Sequence, residues 1–222
     1  MAKGITVGER YYPTKKEAEE ACRSVVDRYG PGAAVTGAED DEFLRGLVAL
    51  HPEYELKRGV GIAGFRVVRT AFGTVGFVIT RVDGSVIDFS WRECLKPTPH
   101  RTQVFKAFRH AIAPQIAETR RALLAAGNLT CAVTGAPIPA GELHIDHYDP
   151  TFLELAERFV AGNGGFDAIR IKPDPGQGIS SLELEDQDLD EAWRVYHERH
   201  AKLRPVLDRV NLSDLAKGRP RT

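Results

Sequence analysis

The sequence has few cysteines, no long apolar segment and almost no net charge, and each shortage excludes a class of protein. Its three cysteines lie far apart in 222 residues, and an odd number cannot pair completely. We therefore expect reduced thiols and a cytoplasmic protein. No stretch approaches the ~20 apolar residues of a membrane helix, so we expect no membrane partner. A net charge of −1 argues against a uniformly basic surface.

Basic residues are nevertheless concentrated in two segments of the chain. Residues 96–121 contain six Lys or Arg and one acid, and residues 199–222 contain seven against two. Local basic surfaces matter more for phosphate contact than the total charge does. The alternative is that these residues only form solvated helix faces, and the sequence leaves both interpretations open.

The first part of the chain predicts a small unit of two helices and three antiparallel strands. Thr14 and Glu17 have the spacing of a capping box, and helical periodicity then continues to Gly30. After Gly30 the pattern favours a second short helix and then β-branched and aromatic runs separated by turn residues. These further predicted elements are a helix over 40–50 and strands over 62–69, 74–81 and 86–89.

The second part begins with a long basic helix, predicted over 100–126 with a kink at Pro114. A hairpin follows near Cys131, then a helix over 151–161, and a last helix from Leu189 to about Val210. The predicted fold class is therefore α+β. The predicted domains are an N-terminal helix and antiparallel-sheet domain (1–96), a connecting basic helix (97–127) and a C-terminal domain with a helical insertion (128–222).

The segment His144-Ile145-Asp146-His147 carries the clearest chemical signal. An Asp-His pair at the end of an apolar strand offers a hard oxygen ligand beside an imidazole. The carboxylate suits a divalent cation, and a neutral imidazole can take a proton from water. Short motifs of this kind also occur by chance, so the pair by itself does not establish a site.

The first 95 residues resemble a known family. The matching segments, in order, are Lys15-Lys16-Glu17-Ala18, Tyr29-Gly30-Pro31-Gly32, Phe43-Leu44, His51-Pro52-Glu53, Lys57-Arg58-Gly59-Val60-Gly61-Ile62, Phe65-Arg66-Val67, Arg81-Val82-Asp83-Gly84-Ser85 and Asp88-Phe89-Ser90. This order resembles the DCL-type (DUF3223) domain over residues 10–95. The resemblance implies a nucleic-acid-associated accessory module, known in plants from organelle RNA processing and RNA polymerase subunits. It does not imply catalysis.

The chain from Leu129 onward resembles the HNH, or His-Me finger, nucleases with their ββα-metal core. It looks most similar to the phage recombination-junction endonucleases, in which His-Leu-Asp-His stands at the place of the present motif. Carried over, the resemblance implies that Asp146 and Asn211 bind one Mg²⁺ or Mn²⁺ ion. It also implies that His147 is the general base that activates water.

The chain departs from this family at its structural zinc site. Family members often bind zinc through four cysteines, and here only Cys131 remains. We therefore expect no structural zinc, and Cys131 as a small buried hydrophobic residue. The asparagine that orients the base in many members is replaced by Lys202. We expect a backbone carbonyl to orient the ring instead.

Three further residues are candidates for supporting or phosphate-contacting roles: His144, His197 and Lys202. His144 is equally well explained as a packed core histidine. A straight last helix would separate His197 from Asn211 by about 21 Å, given a rise of ~1.5 Å per residue. His197 can therefore approach the site only if Pro205 breaks that helix, and otherwise it is a packing or surface histidine.

Together these observations predict a metal-dependent endonuclease acting on DNA, with duplex DNA as the expected partner. A nuclease with a single active site usually needs two copies to cut both strands of a duplex, so a homodimer is expected. Two alternatives remain. One is a non-catalytic nucleic-acid-binding protein with a degenerate HNH fold, and the other is an RNA-processing nuclease, which the plant associations of the first domain favour.

Overall fold

The computed structural model describes residues 4–70, 73–173 and 182–211. The described residues divide into two compact units. The first unit contains the described residues up to Pro99 together with Pro173, and the second contains those from His100 to Lys172 and from Leu182 onward. Helices combine with small antiparallel sheets in both units, so the fold class is α+β.

The first unit contains a β-ribbon, a three-stranded sheet and several helices. The ribbon strands pair with each other, and the sheet has the order β3-β4-β5, all antiparallel. The elements are β1 (Ile5–Val7), β2 (Arg10–Tyr12), α1 (Lys15–Tyr29), α2 (Ala38–Val48), α3 (Tyr54–Arg58), β3 (Ile62–Arg69), β4 (Val75–Arg81), β5 (Val86–Phe89) and α4 (Trp91–Leu95).

Local sequence signals account for most of this unit. The Thr14 hydroxyl accepts a hydrogen bond from the Glu17 backbone N–H and so caps α1, as the spacing predicts. The three predicted strands are present, and their buried side chains join those of α1, α2 and α4 in one apolar cluster. The sequence pattern does not predict the ribbon β1–β2, because its strands have only three residues each.

The second unit is mainly helical in its described part and has one pair of strands. Its elements are α5 (His100–Ala111), α6 (Ala113–Ala126), a 3-10 turn (Ala140–Glu142), β6 (Leu143–His147), α7 (Phe152–Gly162), a second 3-10 turn (Phe166–Ala168), α8 (Gln187–His200) and β7 (Leu203–Leu207). Over the described ranges of the whole chain, no helix has both the length and the apolar character to cross a bilayer.

The segment expected as one kinked connecting helix forms two helices, α5 and α6, with Pro114 in the first turn of α6. A proline is tolerated there, because the first helical N–H groups have no partner within the helix. Both helices belong to the second unit. The buried residues Val104, Ala107 and Phe108 pack α5 into the apolar cluster that also contains Trp193.

The prediction of a single last helix from Leu189 to Val210 is wrong. Helix α8 ends at His200, and the chain then forms strand β7. Pro205 lies in this strand and has no N–H with which to continue a helix. The chain becomes helical again from Asp208 to Asn211, where the description ends.

Strands β6 and β7 are far apart in sequence but pair along their whole length. The antiparallel register places Asp146 opposite Arg204 and His147 opposite Leu203. Leu143 at the start of β6 and Leu207 at the end of β7 are buried in a small apolar cluster with Cys131. The pairing places the Asp-His segment opposite the start of β7, and it places His144 opposite Val206 near the end of β7, from which the chain leads to Asn211.

Candidate functional site

The carboxylate of Asp146 lies in a buried ion pair. Arg204 donates from Nε to Asp146 Oδ2 over 2.9 Å, and the two side chains are only 12% and 7% exposed for arginine and aspartate respectively. The guanidinium also lies over the Tyr148 ring, 5.1 Å from its centroid. The position predicted as a metal ligand is therefore a carboxylate that already faces one positive charge.

Arg204 is the main residue of the site that the sequence analysis missed. Its Nη2 atom is buried and has no hydrogen-bond partner among the described residues. A buried unpaired donor is costly, and so it marks a place where an anion or water would be stabilised. The wrong helix prediction concealed this residue. Read as a strand, the segment places an arginine directly opposite Asp146.

Asn211 lies beside the same strand. Its Nδ2 atom is 3.3 Å from Nδ1 of His144. An amide nitrogen can only donate, so the His144 Nδ1 atom accepts. Because alternate residues of a strand share a face, His144 and Asp146 have the same side-chain direction. The carboxamide thus lies near the face of β6 that carries the aspartate.

His147 forms part of a different polar chain. Its Nε2 atom lies 2.8 Å from Nε2 of His197, and Nδ1 of His197 lies 2.5 Å from Oε1 of Gln115. The amide nitrogen of Gln115 in turn donates to the backbone carbonyl of Arg194 over 3.0 Å. Four residues from β6, α6 and α8 are therefore connected in one line.

His197 is the most deeply buried member of this chain, with 1% of its surface exposed. Its ring packs near Trp193, with 5.9 Å between centroids, and near His147, with 5.0 Å. Burial lowers the pKa of His197 to about 4, so its ring is neutral near pH 7. The burial favours the supporting role for His197 over the phosphate contact that the sequence left open.

The remaining candidates have simpler environments. Lys202 is exposed and pairs with Asp149, with 3.1 Å between Nζ and Oδ2. The expected backbone carbonyl is not the group at His147 Nε2, where the structure places the imidazole of His197. The sequence gives no signal for Gln115, because an isolated glutamine on a basic helix belongs to no motif.

Cys131 is 1% exposed within the small apolar cluster, as expected for a buried residue, but its sulfur is in a polar setting. Burial raises the pKa of the Cys131 thiol, but hydrogen bonds from Thr134 and from the backbone N–H of Leu207 outweigh this effect and bring the pKa down to about 7. The environment therefore favours a thiolate more than the sequence predicts.

Metal ligands are sparse in this region. In the parts of the chain that the structure describes, no group of three or more His, Cys, Asp or Glu side chains is arranged to hold a metal ion. Of the predicted ligands and their neighbours, Asn211 contacts His144, and Asp146 contacts Arg204. Magnesium sites with one or two protein carboxylates, completed by water and substrate phosphate, are compatible with so few ligands.

Comparison with known proteins identifies the first unit only. The family model "Protein of unknown function (DUF3223)" matches residues 23–95. A solution NMR structure of an uncharacterized protein from Rhodospirillum rubrum is 32% identical, covers 42% of this chain and 89% of its own, and has a TM-score of 0.40. No curated protein matches the chain. The resemblance inferred from the sequence is confirmed here, and the chain contains a DUF3223 domain in residues 23–95.

Proposed function

We propose that the second unit is a metal-dependent endonuclease that hydrolyses phosphodiester bonds in duplex DNA. The proposal depends on one observation: Asn211 Nδ2 lies 3.3 Å from His144 Nδ1, on the strand that carries Asp146 and His147. These residues belong to two segments that are distant in the sequence. Their proximity is what a site built from both segments requires.

His147 is the general base in this proposal. A neutral imidazole takes a proton from water while the water oxygen bonds to phosphorus, and the bond from phosphorus to the 3′-oxygen breaks. The leaving oxygen then takes a proton from solvent. The ring of His147 packs edge-on against Phe152, with 5.6 Å between centroids, which restricts its orientation.

The donor set fits a hard cation such as Mg²⁺ or Mn²⁺. Asp146 and Asn211 would hold it through carboxylate and amide oxygens, and His144 lies beside Asn211 as a supporting residue. The ion would supply positive charge next to the scissile phosphate. Arg204 competes for the same carboxylate, so a cation must share Asp146 with the guanidinium.

The Asp146–Arg204 ion pair also favours a second candidate function. A guanidinium that neutralises the carboxylate internally removes much of the attraction for a metal ion. In that case the second unit binds nucleic acid without cutting it. The basic residues of α5 and α6, among them Arg101, Lys106 and Arg120, would then contact backbone phosphates.

The deciding experiment incubates supercoiled plasmid with the full chain and Mg²⁺ or Mn²⁺, beside linear single-stranded DNA and RNA. We expect nicking of the plasmid by the wild type and a fall of about 10²-fold or more in His147→Ala, because a positioned general base contributes that much. His200→Ala is the matched control, because His200 is an exposed histidine on α8. It is expected to cut at the wild-type rate.

The possible outcomes separate the candidates. Plasmid binding with no nicking by the wild type in either metal would support the non-catalytic function and contradict the nuclease. Cleavage of RNA in preference to duplex DNA would support the RNA-processing alternative. Equal cleavage by wild type and His147→Ala would show that another group acts as the base or that the activity is a contaminant.

A further inference from the structure

The hydrogen bonds from Gln115 to His147 determine which nitrogen of each histidine carries a proton. The Gln115 Nε2 atom donates to the Arg194 carbonyl over 3.0 Å, and this bond fixes which way the amide faces. The Oε1 atom is therefore the one that faces His197 Nδ1, at 2.5 Å. Because a carbonyl oxygen can only accept, the proton of this hydrogen bond belongs to His197 Nδ1.

The second hydrogen bond follows from the first. Burial lowers the pKa of His197 to about 4, so its ring carries a single proton near pH 7. With that proton on Nδ1, the His197 Nε2 atom holds a lone pair and must accept. The other nitrogen in this contact, His147 Nε2 at 2.8 Å, must then be the donor.

We propose that Gln115 and His197 are positioning residues that hold His147 as the Nε2–H tautomer and so make its Nδ1 atom the base. This inference rests on the proposed nuclease function for its catalytic meaning, but the proton assignment stands on the hydrogen bonds alone. A neutral imidazole has one basic nitrogen, and the partner of the other nitrogen decides which it is. The role predicted for a backbone carbonyl is thereby given to a second imidazole.

The packing around the chain supports a positioning role. His197 is fixed between Trp193 and the His147 ring, and Gln115 is anchored at its far end to α8 through the Arg194 carbonyl. Both positioning residues also line one cavity of about 500 Å³, together with Pro114, Glu118 and Leu203. Which nitrogen of each imidazole carries its proton therefore depends on the packing of α6 against α8.

The proton assignment is tested by NMR on the full chain with ¹⁵N-labelled histidine. We expect His197 in the Nδ1–H form, the less common tautomer of imidazole in water, and a scalar coupling across the hydrogen bond between the two Nε2 atoms. Gln115→Met removes the acceptor and is expected to return His197 toward the common tautomer. The opposite arrangement in the wild type, with His197 protonated on Nε2, would overturn the proposal.

The catalytic role is tested by a matched pair of substitutions at His197. His197→Phe keeps a ring next to Trp193 but removes the acceptor, and we expect kcat to fall about 10²-fold with KM within about threefold, because the base loses its orientation. His197→Gln places an amide oxygen near the position of Nε2 and is expected to recover most of this loss. His200→Phe, on the exposed side of α8, serves as the control.

Each result has a distinct meaning. Equal kcat in the wild type and His197→Phe, with both proteins folded by tryptophan fluorescence, would overturn the positioning role even if the nuclease is real. A wild type that shows the expected tautomers but never cuts DNA would contradict the proposed function and leave the proton assignment standing. A loss in His197→Phe that His197→Gln does not recover would indicate packing and overturn the hydrogen-bond account.

Discussion

The two units bury charged groups in different ways. In the first unit the Asp40 carboxylate pairs with Arg28, whose side chain is 57% exposed, and also accepts a hydrogen bond from Tyr29. In the second unit both partners of the Asp146–Arg204 pair are almost fully buried. Water can replace Arg28 but not Arg204. The same kind of ion pair is therefore expected to matter far more to the second unit.

Removing the buried arginine gives the largest expected effect. Arg204→Met leaves the Asp146 carboxylate without its cation in a buried site, and loss of one partner of such a pair costs about 3–5 kcal/mol of unfolding free energy. Urea unfolding followed by Trp193 fluorescence measures the loss. The chain has two tryptophans, and Trp193 is the one in the second unit. The measurement is therefore made in protein that also carries Trp91→Phe, so that Trp193 alone reports the unfolding.

Arg28→Met is the matched control in the first unit. Arg28 is mostly in water, and an ion pair with an exposed partner contributes about 0–1 kcal/mol, so this change should be nearly neutral when Trp91 is the reporter. Similar losses in the two variants would contradict the comparison. A double variant, Asp146→Leu with Arg204→Met, removes both charges and is expected to recover much of the stability lost by Arg204→Met.

Acid is expected to weaken the two units in different pH ranges. The folded-state pKa of His197 is about 4, below the ordinary 6.5, so between these values the unfolded chain takes up a proton that the folded chain does not. Stability is therefore full above pH 6.5 and is lost as the pH falls toward 4, by up to about 3 kcal/mol. His197→Phe should remove this slope in urea unfolding monitored by Trp193.

The first unit should respond at lower pH. Burial raises the pKa of Asp40, but hydrogen bonds from Arg28 and Tyr29 outweigh it and hold the pKa below its ordinary value of 3.8. The stability from this group is present above 3.8 and is lost only as the pH falls further. A first unit that weakens between pH 6.5 and 4 as much as the second would contradict this difference.

The sequence predicts the first unit better than the second for a physical reason. Helix α1 and strands β3 to β5 follow from caps, turns and alternating apolar residues, all of which are signals between near neighbours in the chain. The Asp-His pair was also visible as a local motif. These features need no knowledge of long-range contacts.

The site is harder to predict because its partners come from distant segments. Strand β7 has three apolar residues, Leu203, Val206 and Leu207, whose spacing also suits a helix, and only its pairing with β6 decides between the two. Arg204 gains its role through that pairing. Gln115 contacts His197 across 82 positions of sequence, and a single glutamine carries no pattern from which such a contact could be inferred.

The smallest expected effect compares two helix caps, one in each unit. The Thr14 hydroxyl caps α1, and the Thr151 hydroxyl caps α7 in a full capping box, in which the Thr151 N–H also donates to Glu154. Thr14→Ala and Thr151→Ala should each cost about 1 kcal/mol, because each leaves a helix N–H without its acceptor. The corresponding serine variants keep the hydroxyl and should lie near the wild type.

These caps are informative because the chemistry is the same in both units. Trp91 reports the unfolding of the unit that contains α1, and Trp193 reports that of the unit that contains α7. If each alanine variant lowers only the unfolding midpoint reported by the tryptophan of its own unit, then the units unfold separately. The large cost of Arg204→Met is then a local property of the second unit. If both tryptophans shift together, the whole chain unfolds as one cooperative transition. The contrast between Arg28 and Arg204 must then be measured as a difference in total free energy, because either reporter would register both.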